Sequence, residues 1–131
     1  QRVWDLFRQA PSLAFDLTWL AASEERTLDE NLLSVGRRSA EERAAYYLLN
    51  LYVRADDIGL VTEGRVRFPF TQAHLADALG LSLVHTNKTL KRLERRGLMQ
   101  WDHGWFFLPD INLLAEVAKF DLVRPRKRPL L

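Results

Sequence analysis

Residues 71–95 read TQAHLADALGLSLVHTNKTLKRLER, and their spacing decides the fold. Thr71 can cap a short helix that reaches Leu79. Gly80 breaks that helix, and a second one is expected from Ser82 to about Arg96. Two helices meeting at so tight a turn need apolar residues that lock them together, here Leu75, Leu79, Leu81, Leu90 and Leu93. They also need a small residue at the close approach, met by Ala76, and a turn residue free to take a left-handed conformation, met by Gly80. All three requirements fall at the offsets of a helix-turn-helix.

The second helix presents Ser82, Val84, His85, Asn87 and Lys88 from its N-terminal half, the end that enters the DNA major groove in this motif. Lys88 can donate to guanine O6 and N7, and Asn87 can pair with adenine or contact phosphate. Thr71 and Gln72 at the start of the first helix are candidates for backbone contacts. Lys91 and Arg92, further along the second, are candidates for charge rather than base reading. The charge distribution agrees. The whole chain carries only +2, yet Lys88, Lys91, Arg92, Arg95 and Arg96 stand against Glu94 alone, while acids dominate between Asp16 and Glu42. A basic segment confined to one helix suits a polyanion. Charge alone, however, favours a plain solvated helix face.

Downstream, Leu98–Trp101 and Trp105–Leu108 are strand-like and joined by Asp102-His103-Gly104, a short turn with Gly where positive φ is needed. They form the expected wing. His103 at its tip reads as a turn residue and His74 as a surface or capping side chain. From Asp110 an amphipathic helix carrying Ile111, Leu114, Val117 and Ala118 should end near Phe120, followed by a basic tail in which Pro125 and Pro129 oppose helix.

Upstream, Ser39-Ala-Glu-Glu42 is a capping-box pattern opening a helix with Ala44, Ala45, Leu48, Leu49, Tyr52 and Val53 toward a core. Asp56–Gly59 reads as a loop, and Arg65–Phe68 as a short strand ended by Pro69. Before these, Pro11 opens a long helix to about Val35, with Gly36 as its stop. Leu13, Leu17, Leu20, Leu28, Leu32 and Val35 share one stripe. A helix this long calls for packing along another helix, in a dimer or against a further domain.

Several classes are excluded or unsupported. The 131 residues contain no cysteine, so disulfides and thiolate metal sites are ruled out within them; a reducing cytoplasm is the expected location. No apolar run approaches the ~20 residues that span a bilayer. The three histidines lack metal-ligand spacing, no metal is expected, and no nucleophile motif, phosphate loop or carboxylate pair suggests catalysis. The chain starts at Gln1 inside an expected helix and is read as a piece of a longer protein.

In combination, the long helix, the Ser39-Ala-x-Glu-Arg43-x-Ala-x-x-Leu-Leu49 helix, Phe70-Thr-Gln72 and Leu75-Ala-x-x-Leu-Gly-Leu-Ser82 resemble the C-terminal half of Crp/Fnr-family regulators, over residues 11–108. Val84-His85-Thr86-Asn87-Lys88 is similar to a branch with a Val-His-x-Asn-Arg reading helix. In the family's usual reading helix, an Arg and a Glu stand where Leu83 and Val84 are here. Thr86 and Thr89 replace a commoner Val and Ile on the core face. The resemblance implies a homodimer joined through the long helix, with Ser82 on phosphate and Lys88 reading a base. It also implies an inverted-repeat operator in double-stranded DNA, RNA polymerase as a candidate partner, and a cyclic nucleotide or other effector bound by an N-terminal domain outside this chain.

The fold expected is therefore mainly α with a small antiparallel β wing: a dimerisation segment at 1–38, a winged helix-turn-helix at 39–121 and a basic tail at 122–131. The function expected is sequence-specific DNA binding in transcription regulation, without enzymatic activity. The alternative is a winged helix used for protein assembly, without DNA contact.

Overall fold

The computed structural model describes residues 2–123, without the side chains of Leu6 and residues 26–37. The basic tail from 124 and the side chains of Leu28, Leu32 and Val35 therefore lie outside the described residues. The chain forms two compact units that divide between Gly36 and Arg37.

The first unit holds α1 (Arg2–Gln9) and most of α2 (Pro11–Arg37). Ala10 joins them, its carbonyl accepting from the Leu13 and Ala14 amides at 3.1 and 3.3 Å. Gly36 does not stop α2, which runs through it to Arg37. One glycine costs a helix interior only about 1 kcal/mol, too little to end a helix already some seven turns long.

The second unit is built on α3 (Ala40–Asp57). Ser39 caps it, its Oγ accepting from the Glu42 amide at 3.2 Å. The carboxylate of Glu42 bonds Lys119 Nζ at 3.2 Å, so the reciprocal half of the expected capping box gives way to an ion pair. α3 also continues through Asp56 and Asp57, where a loop is expected from sequence. Its end is set just beyond Ile58, where Leu60 N–H bonds the Ala55 carbonyl at 2.9 Å and Gly59 takes a left-handed conformation. Ala44, Ala45, Leu48, Leu49, Tyr52 and Val53 are all buried, and Tyr46 joins them, packed on Phe120 with ring centroids 5.2 Å apart.

Against α3 pack α5 (Leu83–Arg95) and α6 (Ile111–Ala118). Between α3 and α5 the chain makes β1 (Arg65–Arg67) and α4 (Gln72–Leu79); after α5 come β2 (Gln100–Asp102) and β3 (Trp105–Phe107). The expected two-stranded wing is a three-stranded antiparallel sheet in the order β1-β3-β2, with Val66 opposite Phe106 and Trp101 opposite Phe106. The hairpin turns on His103 and Gly104, both at positive φ (47° and 81°), the pairing that matches the twist of adjacent strands. Phe68 donates its amide to the Gly104 carbonyl at 2.9 Å, and its ring stacks on Phe106 at 4.9 Å.

Candidate nucleic-acid interface

The corner between α4 and α5 is set by local chemistry. Leu75, Leu79, Leu90 and Leu93 are buried, Leu81 packs beside them, and Ala76 is buried at the approach of the two helices. α4 ends when Leu81 N–H reaches the Ala76 carbonyl at 3.0 Å, with Gly80 at φ 64° and ψ 36°. A Cβ is strained in that conformation. Ser82 then caps α5, its Oγ accepting from the His85 amide at 3.1 Å.

α5 divides into two faces. Thr86, Thr89, Leu90 and Leu93 are buried. Thr89 Oγ1 donates to the His85 carbonyl at 2.9 Å, whereas Thr86 Oγ1 is buried without a partner. Ser82, Leu83, Val84, His85, Lys88, Lys91, Arg92 and Arg95 are exposed. At 3.6 residues per turn, Val84, Lys88, Lys91 and Arg95 form the centre line of that face. Arg95 thus joins the candidate site, although it is not among the residues singled out from sequence; the i, i+4, i+7, i+11 spacing from Val84 is the signal for it. Asn87 lies at the edge. It is half-buried, and its Oδ1 is buried without a hydrogen-bond partner.

The basic residues of this helix are not equivalent. Arg96 forms an ion pair with Glu41 of α3, and Arg92 Nη1 lies 4.0 Å from the same carboxylate. Glu94 Oε1 accepts from the Trp101 amide at 3.3 Å, fastening β2 to α5. Among the described residues no acid pairs with Lys88, Lys91 or Arg95, so their charge remains available. Glu41, unremarkable in sequence, is what separates the two groups.

At the start of α4, Thr71 Oγ1 accepts from the His74 amide at 3.3 Å, and His74 Nδ1 accepts from the Thr71 amide at 3.1 Å. His74 thus closes a reciprocal cap with Thr71. Thr71 is exposed and Gln72 half-buried. Both line an open cleft of about 220 Å³ with Phe70, Trp101, His103 and Gly104, between α4 and the wing. His103 lies 3.5 Å from Asp102 and is otherwise a turn residue. On the outer wing face the Arg65 and Arg67 guanidinium groups lie 5.3 and 6.0 Å from the ring centres of Phe107 and Trp105.

Of the side chains expected to form a seam on α2, Leu13 is half-buried, while Leu17 and Leu20 are 44% and 42% exposed. No helix among the described residues is long and apolar enough to cross a membrane.

A helix-turn-helix with an antiparallel wing, presenting a cationic face on its second helix, is a winged helix-turn-helix of the nucleic-acid-reading type. Residues 42–117 match the Crp-like helix-turn-helix domain, and the chain belongs to the Crp/Fnr family of transcription regulators. It is 33% identical over 87 residues to the nitrogen fixation regulation protein FixK of Azorhizobium caulinodans, covering 66% of this chain and 35% of that protein. To the FixK of Bradyrhizobium diazoefficiens it is 31% identical over 105 residues, covering 78% and 43%. The chain therefore spans less than half the length of these relatives. The solved structure of FixK2 from Bradyrhizobium japonicum shares the fold with a TM-score of 0.74 at 24% identity, over 88% of this chain and 57% of that one. A Crp/Fnr-family regulator from Thermus thermophilus gives 0.67 at 25% identity, over 83% and 55%.

Proposed function

We propose that this chain binds double-stranded DNA sequence-specifically as a homodimer and regulates transcription. The observation that carries the reading is the centre line of α5: three cations without acidic partners, beginning one turn from a helix N-terminus that the fold leaves exposed. In the major groove Lys88 reads guanine, with Val84 and His85 beside it, while Ser82, Lys91, Arg95, Gln72 and Thr71 meet the sugar–phosphate backbone. Asn87 is left to a phosphate contact through its amide nitrogen. Arg92 contributes phosphate attraction that it shares with Glu41.

The dimer seam is α2, through Leu13, Leu17, Leu20, Leu28, Leu32 and Val35. The exposure of Leu17 and Leu20 supports this, since a second copy would cover them. Two α5 helices would then enter successive major grooves roughly 34 Å apart, on an inverted repeat. A cyclic nucleotide or another effector acts on a part of the protein beyond these residues, and RNA polymerase is the partner at the promoter.

The test is selection of bound duplexes from a random library, followed by titration of the winner against salt. Enrichment of an inverted repeat with half-sites one turn apart, and an affinity that falls steeply with salt, is the expected result. No enriched motif, with weak and salt-insensitive binding, would replace this reading by the protein-assembly one.

A further inference from the structure

Of the polar side chains near the start of α5, two are engaged or turned inward. Ser82 Oγ is committed to the His85 amide at 3.1 Å, and the side-chain oxygen of Asn87 is buried. Toward solvent the turn holds His85 and two apolar side chains, Val84, 64% exposed, and Leu83, 47% exposed. The two do not face the same way. Val84 lies on the line of Lys88, Lys91 and Arg95, whereas Leu83 is rotated about 100° from it, toward the edge that carries Asn87 and Glu94. Val84 therefore leads the face whose next three members are cations, at the end of the helix that penetrates deepest.

Apart from ring C–H groups, the major-groove edges of the bases carry donors and acceptors, and the one apolar substituent among them is the C5-methyl group of thymine. A branched aliphatic side chain at the centre of a reading face gains most from that group; the bare C5–H of cytosine offers it less surface, and the edges of adenine and guanine leave polar groups desolvated and unpaired. We infer that Val84 is a specificity-determining residue that selects thymine by packing on its C5-methyl, and this rests on the DNA-reading function proposed above. Lys88 follows one turn later, about 6 Å along the helix axis, so the selected thymine falls within about two base pairs of the guanine that Lys88 reads.

The test uses the duplex recovered by selection. Each thymine is replaced in turn by 2′-deoxyuridine, which keeps every hydrogen-bonding group and removes only the methyl. At one symmetry-related pair of thymines the wild-type chain should bind about fourfold more weakly per half-site, the value of one buried methylene-sized group. Val84→Ala, at an exposed position, should fold normally, bind somewhat more weakly and no longer distinguish thymine from deoxyuridine there. Leu83→Ala should keep the distinction. If no thymine shows a methyl effect, or the effect survives in Val84→Ala, the inference is overturned while DNA reading stands. If selection recovers no duplex at all, the functional reading fails and takes this inference with it.

Discussion

Thr86→Val should make the second unit more stable. Thr86 is fully buried on the inner face of α5, and its hydroxyl has no hydrogen-bond partner. A buried donor or acceptor left unmade costs about 1–3 kcal/mol in lost hydration. Valine replaces the hydroxyl by a methyl of nearly the same shape, so the packing against Leu90 and Leu93 can be kept while that cost disappears. The expected gain is about 1–2 kcal/mol, and each kcal/mol is worth about 4–8 °C in Tm for a domain of 60–100 residues. Urea unfolding should show a higher midpoint with an unchanged slope. Thr89→Val is the internal comparison. Thr89 Oγ1 already donates to the His85 carbonyl, so valine there removes a bond and should leave stability unchanged or lower. DNA affinity should not change in Thr86→Val, because the side chain lies on the core face. A Thr86→Val variant no more stable than wild type would refute the reasoning, since it would mean that the hydroxyl is satisfied in solution.

Gly80→Ala should cost about 1–2 kcal/mol, the strain of a Cβ in left-handed backbone, read as a lower urea midpoint; an unchanged midpoint would show that the corner relaxes away from φ 64°. Arg95→Ala should lower the salt slope of DNA binding by about 0.9 per half-site, while Arg96→Ala, whose charge is engaged by Glu41, should lower it much less; equal effects would contradict the division of charge on α5. Burial first, then the nearby Asp56 carboxylate, hold the Tyr52 phenol above its ordinary value of 10. The folded state thus keeps a proton that the unfolded chain releases. The phenol's contribution to stability is fully present below about pH 10 and is lost as pH rises through the raised folded value. Tyr52→Phe should flatten the alkaline limb of a stability profile, and an unaltered limb would place that loss elsewhere.

Much of the interface was legible because its causes are local. The caps at Thr71, Ser82 and Asp110 and the turn at Gly80 depend on residues within four or five positions of one another. The burial of Leu75, Leu79, Leu90 and Leu93 follows from helical period alone. The misses share a different origin. Asp56 and Asp57 stayed helical because Tyr52 and Val53 anchor that turn in the core, which outweighs a modest propensity penalty. Gly36 did not end α2, because one glycine costs a helix interior too little to stop it unaided.

By itself the sequence determined where the helices of the second unit begin, which side of α5 is buried, and that its outer side is cationic. These follow from periodicity and from short-range hydrogen bonds, which act before distant parts of the chain meet. Only the tertiary structure decided that β1 joins the wing through β3, that Glu41 takes up Arg96 and part of Arg92 but leaves Arg95 open, and that the oxygen of Asn87 faces inward. Each of these depends on which surfaces come together once α3, α5 and the sheet share one core, and on which polar groups lose water there. No local pattern of residues records that.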